Sequence, residues 1–535
     1  MSTLPYTKTL EHHGLVAGFC KELGIADMVD ERLGHAEHRQ VSFGQLLVAM
    51  IINGLGFTGR TLHMYGEYFK DKPLDRLLGE GIAVAHINDD ALGRCLDALY
   101  EYGVSDLYQQ LGEKVVSHLG LANESLHLDS SSFHYDGQQT PEDDTHTVRL
   151  TKGYSRDHRP ELNQVILNLI CENQSGIPVY MKPASGNSND MEGFKQIVKA
   201  HIGSLKAAQS SHYLVADAAL YTQESLVELQ GMGQRFITRV PQTLKEAKAL
   251  IKSASTLAFE PISEGYEGAW CRSDYAGISQ KWLLVRSQQA QKRERHTLDK
   301  RMQKQAEQSR KSFKKLCQLE FACEADARQA LAQWQSKQVV CDVDATVHCI
   351  PVYAGAGRPA KGQLPARHYF AISGALFVPL AIRTAMLREL GLFIIATNQT
   401  NDDTLTMEKM LSTYKSQQAV EKGFRFLKSP DFLTSSFYLK KPERIEALLM
   451  VMTTCLMVYS ALEHKIRAEL VAQDKTFPNM KYKPYQKPTA RWVFQCFQGI
   501  TIMYIPYMLP IVANVEERNR TIIDCLGHHY QQIYS

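Results

Sequence analysis

The chain has 535 residues and a mass of 60.4 kDa, room for about three domains at roughly 150 residues each. Hydrophobic residues make up 44% and charged residues 22%, the values of a soluble chain able to bury a large core. With 60 Lys and Arg against 57 Asp and Glu the net charge is +3, which excludes a uniformly basic surface and still allows a local basic face.

In chain order, the opening MSTLPYTKTLEHHG is polar, so no secretory leader is expected. The first 120 residues read as mostly helical. SFGQLLVAMIINGLGF has apolar residues at helical spacing with Ser42 placed to cap it, and a helix near 89–102 carries Leu92, Leu96 and Leu99 on one stripe. After Leu121 the texture becomes strand-like. ESLHLDSSSFHY, LNQVILNLI and GIPVYMKPASGN are successive strand candidates, with Gly176 and Asn187 in turns. A helix over 190–201, the strand SHYLVADAAL and the strand GQRFITRVP follow. That order predicts a mixed α/β sheet.

Beyond Pro241 the pattern loosens. Residues 264–285 hold short strand candidates with Trp270 and Trp282. A charge-rich helix is predicted over 291–317, and its stretch 292–315 has ten basic and three acidic residues. The α/β texture returns with HYFAISG and GLFIIATN, then a helical region over 404–427. One sheet interrupted by a large insertion accounts for this order. The apolar run 447–462 is too short for a span and contains Thr453 and Thr454, while 494–515 is broken by Gln495, Gln498, Pro506 and Pro510. Both read as buried core, and no membrane partner is expected. Eleven cysteines, an odd number with no Cys-x-x-Cys pair, fit a reduced cytosolic chain.

Two acids stand out by position. Asp129 follows Leu126 and Leu128 inside a strand candidate, and Asp217 ends LVAD in a later one. Acids among apolar strand residues are costly unless paired or bound to a cation, and hard divalent ions need grouped carboxylate oxygens. A third candidate comes from TYKSQQAVEKGFRFLKS. Tyr414, Gln417, Glu421 and Lys428 are spaced three, four and seven apart. On a continuous helix they fall within about 60° of one another, a polar stripe beside Val420, Phe424 and Leu427. Three carboxylates can hold two Mg²⁺ ions for phosphoryl transfer, one activating water or a 3′-hydroxyl and one stabilising the departing oxygen. Arg425 and Lys428 suit phosphate contacts and Tyr414 a hydrogen bond to the same backbone.

With these residues in hand, the chain resembles a DDE transposase of bacterial insertion sequences, in the superfamily named after insertion sequence four. Its signature Tyr-x2-Arg-x3-Glu-x6-Lys is matched by Tyr414, Gln417, Glu421 and Lys428, with Gln417 in place of the arginine. The family aspartates fall on Asp129 in LHLDSSSFHY and Asp217 in YLVADAALY. KGYSRDHRPELNQVILNLI, NDDALGRCLDALYEYG, GRP at 357–359 and RSQQAQKR extend the likeness over nearly the whole chain.

The resemblance implies an RNase H-like mixed-sheet core with a large insertion, preceded by an all-helical N-terminal domain. The implied parts are residues 1–120, helical, for DNA binding or dimerisation; 121–241 and 386–470, the two halves of the core; 242–385, the insertion; and 471–535, a C-terminal extension. It further implies Asp129, Asp217 and Glu421 as catalytic metal ligands for two Mg²⁺ ions, replaceable by Mn²⁺. Implied partners are double-stranded DNA, at terminal inverted repeats and target, and a second copy in a synaptic dimer; the implied location is the bacterial cytoplasm and nucleoid. In relatives, hydrolysis at the element's ends releases a 3′-hydroxyl that attacks the opposite strand to form a hairpin, a second water reopens it, and the same hydroxyl then attacks target DNA. Hairpin-forming relatives stack an extruded base on an aromatic ring of the insertion, which makes Trp270 and Trp282 candidates. Lys292, Arg293 and Arg295 open the basic helix as candidate phosphate contacts. His127 and His134 flank Asp129 and read as structural or phosphate-adjacent. Two rivals remain: a metal-dependent nuclease of the same fold, and a transposase-derived DNA-binding protein that has lost catalysis.

Overall fold

Apolar residues three and four apart set the N-terminal architecture. Helices form at His13–Glu22 (α1), Ile25–Leu33 (α2), Phe43–Leu55 (α3), Tyr65–Phe69 (α4), Leu74–Leu77 (α5), Asp89–Tyr102 (α6) and Val104–Leu119 (α7) in the computed structural model. The residues described are 4–34, 39–57, 64–121, 124–135, 148–154, 159–188, 213–355, 361–401, 405–429, 439 and 441–535. Ser42 caps α3 as expected. Its hydroxyl accepts from the Gln45 amide at 3.1 Å, and the Gln45 side chain accepts from the Ser42 amide at 3.0 Å. Asn88 caps α6 in the same way, accepting from Ala91 at 2.9 Å. A short strand precedes the helices: Tyr6–Thr9 (β1) pairs antiparallel with Thr501–Tyr504.

The chain forms two compact units. The first comprises Met1–Arg239, Asp274–Gln280 and Thr397–Ser535; the second comprises Val240–Ser273 and Lys281–Ala396.

In the first unit the strands are Ser125–Tyr135 (β2), Asn163–Glu172 (β3), Pro178–Ser185 (β4), Tyr213–Ala216 (β5) and Phe236–Arg239 (β6), and they lie in the order β4-β3-β2-β5-β6. The β2–β3 and β3–β4 pairs are antiparallel, and β2–β5 and β5–β6 are parallel. This is the mixed five-stranded sheet expected of an RNase H-like core. Helix Gln223–Gly231 (α8) forms the crossover between β5 and β6. The helix expected over 190–201 lies outside the described residues.

The apolar run 447–462 is the middle of Pro442–Ala472 (α15), a helix long and apolar enough to cross a membrane. It is a core helix, with 78% of its most apolar window buried against α3, α6, α7 and β4. Close packing of this layer depends on Gly112 in α7, where an added Cβ would lie 2.4 Å from the Val179 carbonyl oxygen. The second apolar run is no span: it holds the end of helix Ala490–Cys496 and the strands Thr501–Tyr504 and Ile511–Ala513.

The second unit starts with helix Lys245–Lys252 (α9). It contains strands Glu260–Ser263 (β7), Tyr266–Ser273 (β8), Gln280–Ser287 (β9) and Leu392–Thr397 (β12), ordered β12-β9-β8-β7. Gln288–Cys317 (α10) is the expected charge-rich helix, followed by Glu324–Gln335 (α11). HYFAISG does not rejoin the core sheet. It lies in Arg367–Phe377 (β11), which pairs along its whole length with Asp342–Val352 (β10) as a separate two-stranded ladder. Period-two alternation marks a strand but not its partner. Helix Leu380–Arg388 (α12) links β11 to β12.

Candidate active site

The register of the parallel strands builds the site. Leu128 on β2 is paired with Ala216 on β5, and Ala216 with Thr238 on β6. The next residues along these strands are therefore Asp129, Asp217 and Arg239, a row across the carboxyl side of three neighbouring strands. Sites of open α/β sheets are found at this edge. Asp129 is 8% exposed, and its Oδ1 accepts from the Ser130 amide at 2.8 Å. Asp217 caps the turn Ala218–Leu220, accepting from the Ala219 amide at 2.9 Å, and its carbonyl accepts from the Thr238 hydroxyl at 2.7 Å. Arg239 escaped the sequence reading because a polar residue at a strand end looks like a turn. The signal was there in the series Leu-Asp, Ala-Asp, Thr-Arg.

The helical region expected over 404–427 is two helices, Met407–Lys415 (α13) and Gln418–Leu427 (α14). At the junction the Gln417 amide donates to the Tyr414 carbonyl at 3.2 Å, a tighter turn than an α-helix makes. The four signature residues therefore do not share one continuous helix. α13 packs on β5 and β6, and α14 packs on β2.

Tyr414 links the parts. Burial raises its phenol pKa first; Arg239, which also hydrogen-bonds it, pulls it down, and the carboxylates of Asp217 and Glu421 push it up. One phenol thus senses the second aspartate, the glutamate and Arg239 together. Glu421 is exposed on α14, and Arg425 is exposed one turn further on. Lys428 ends that helix with its ammonium 5.6 Å above the Phe133 ring of β2.

The donor set of Asp129, Asp217 and Glu421 is all oxygen, the chemistry a hard divalent cation takes. Their ligand atoms do not all lie within 4.8 Å of one another; among the described residues Glu11, His12 and His13 meet that test. Like-charged carboxylates repel without a cation between them, and the long Glu421 side chain can rotate. The histidine cluster suits a cation poorly. Burial first, and the Lys72 ammonium after it, push both pKa values down, His12 to about 4, although the Leu55 and Leu10 carbonyls pull them up, and that ammonium repels a cation there.

Several candidates lie elsewhere. Gln417 is 7% exposed and cannot grip a phosphate: its amide donates to the Leu128 carbonyl at 3.0 Å and its oxygen faces His127 Nδ1 at 3.0 Å. His127 is fully buried, and desolvation keeps it neutral despite Gln417 and Glu172. Trp282 is 2% exposed, so a base cannot stack on it. Trp270 is half-buried with the Lys281 ammonium 3.8 Å over its ring. Lys292, Arg293 and Arg295 are exposed on α10, whose buried side carries Leu298, Met302 and Phe313.

The fold and this acidic strand edge define a mixed-sheet protein with a carboxylate-lined site. The family described as Transposase DDE domain matches residues 126–458, and the one described as Domain of unknown function (DUF4277) matches residues 6–113. The chain belongs to the DDE transposase family. It is a DNA-cleaving, strand-transferring enzyme that depends on divalent metal. No curated protein matches it. Among solved structures, the piggyBac transposase synaptic complex with hairpin DNA is similar over 90% of this chain and 79% of that one, at 9% identity and a TM-score of 0.38. The Mos1 transposase paired-end complex with left transposon end covers 42% of this chain and 76% of that one, at 10% identity and a TM-score of 0.15. Scores this low leave the assignment resting on the family match.

Proposed function

We propose that Asp129, Asp217 and Glu421 form the catalytic metal centre of a cut-and-paste transposase in the insertion-sequence-four superfamily. The observation that carries this reading is the row Asp129–Asp217–Arg239 with Tyr414 between Asp217 and Glu421. Two Mg²⁺ ions, replaceable by Mn²⁺, would supply an activated water or 3′-hydroxyl and stabilise the departing oxygen. The chain's own task is to hold three carboxylates at one strand edge and to present Arg239, Arg425 and Lys428 to the DNA backbone. Tyr414 orients Arg239 and adds a hydrogen bond. Every step is in-line transfer at phosphorus, so one site serves end cleavage and joining to target.

Terminal inverted repeats and target DNA are the substrates in this reading, and two copies pair the two ends. The helical residues 1–120 serve DNA binding or dimerisation, the 242–385 insertion presents its basic helix, and the enzyme works at the bacterial nucleoid. Asp129→Ala, Asp217→Ala and Glu421→Ala should each lower end cleavage at least about 10³-fold while retaining most DNA affinity. Near wild-type cleavage in all three would defeat the assignment. A labelled element end joined to plasmid separates a transposase from a nuclease, since a nuclease yields no joined product.

A further inference from the structure

The family signature has arginine where this chain has Gln417, and the surroundings of that side chain account for the exchange. A backbone carbonyl only accepts, so the Gln417 NH₂ must face Leu128, leaving its oxygen toward His127. That oxygen requires the His127 proton to sit on Nδ1. His127 Nε2 is then the acceptor; the Ser125 hydroxyl faces it at 3.5 Å, and the Ser416 hydroxyl, 3.1 Å away, gives its one proton either to Nε2 or to the Thr413 carbonyl at 2.7 Å. The contacts connect residues 289 and 290 positions apart. They join the two residues before Asp129 to the turn that launches Glu421. Glu421 is one helical turn past Gln417, so their Cβ atoms lie about 6 Å apart.

We propose that Gln417 and His127 are positioning residues that fix the spacing of the Asp129 and Glu421 carboxylates and thereby set the site's affinity for its divalent ions. This rests on the metal-centre reading above. Each amide end of Gln417 has a buried partner, and removing it takes a donor from the Leu128 carbonyl and the acceptor from the His127 N–H. Arginine has five donors and no acceptor, so it would set donor against donor at His127 and bring a charge into a buried space. Restoring the family residue by Gln417→Arg therefore lowers activity.

The test is Mn²⁺ titration of the full-length chain followed by electron paramagnetic resonance, with cleavage of DNA carrying the element's ends measured alongside. Gln417→Met keeps the side chain's bulk and should weaken Mn²⁺ binding about tenfold, the lower end for outer-shell partners of metal sites. Its cleavage should recover as Mn²⁺ is raised, and not as salt is lowered. His127→Leu should behave alike, whereas His127→Asn, which retains a donor near the Nδ1 position, should bind Mn²⁺ within about threefold of wild type. This second pair decides the matter if Gln417→Met fails to fold.

Unchanged Mn²⁺ affinity in Gln417→Met and His127→Leu, or recovery of Gln417→Met by low salt, overturns the proposal. Asp129→Asn separates the two readings. If it abolishes Mn²⁺ binding while Gln417→Met and His127→Leu do not weaken it, only the positioning role fails. If Asp129→Asn also binds normally, the metal-centre reading fails.

Discussion

The two compact units spend their residues differently. The first buries α15 among α3, α6, α7 and β4 and pairs some of its internal charge, as with Glu22, which accepts from Lys465, from the Tyr530 hydroxyl at 2.8 Å and from His118 at 2.8 Å. Among its described residues the second has, besides the buried strands β9 and β12, small apolar clusters around Phe313, Leu316, Ala327, Val343 and Ile372 and around Leu298, Met302 and Val340. Its 30-residue α10 and the β10–β11 ladder are largely exposed. In the proposed reading, the acids of the metal centre sit on the frame that buries α15, and the candidate phosphate contacts sit on the unit with the long exposed α10.

The largest effect that would break this contrast is Glu22→Ala. It leaves the Lys465 ammonium, 12% exposed, without its carboxylate, a loss of about 3 kcal/mol in the first unit's stability. Glu22 has its pKa lowered because hydrogen bonds from Lys465, Tyr530 and His118 outweigh desolvation. Its contribution is therefore full above the ordinary pKa of 4.5 and is lost as pH falls through the folded value. Denaturant unfolding at pH 7 and at pH 3 measures both. Equal stability of variant and wild type at pH 7 would mean that this unit does not depend on paired internal charge.

Glu446 sharpens the same point with the opposite sign. Burial raises its carboxyl pKa to about 7, although the Val148 amide donates to it at 2.7 Å. The folded chain binds this proton more tightly than the unfolded chain, so stability falls as pH rises from the ordinary 4.5 to about 7 and then levels. Glu446→Gln keeps an acceptor for Val148 and should raise stability at pH 8 by about 2 kcal/mol, with little change at pH 4. Thermal melts at the two pH values test this, and an equal gain at both would refute it.

The smallest effect concerns the second unit. Replacing Lys292, Arg293 and Arg295 together by Ala should flatten the log–log salt dependence of DNA affinity by about two to three units, evenly across sequences. An unchanged slope would remove α10 from the DNA-contacting surface.

Much of the first unit was legible because its strands are short apolar runs flanked by turn residues. Asp129 and Asp217 stood out as acids inside such runs. The function of Gln417 was not legible, since its partners lie about 290 positions away and a glutamine on a helix looks solvated. The break at Ser416–Gln417 was equally hidden, because one tightened turn leaves helical periodicity almost intact. Trp282 stood as a stacking candidate through the family resemblance alone, and alternation does not reveal whether both faces of β9 are covered. HYFAISG and GLFIIATN share one strand texture in the sequence because strand pattern does not name the neighbouring strand.

The most direct test of the metal centre is anomalous diffraction from crystals of the full-length chain bound to element-end DNA with Mn²⁺. The account predicts Mn²⁺ about 2.1 Å from oxygens of both Asp129 and Asp217, beside a DNA phosphate and with Glu421 turned inward. Mn²⁺ at another cluster, or the three carboxyl groups more than about 12 Å apart beside bound DNA, farther than ions 3.5–4 Å apart can bridge, would contradict it.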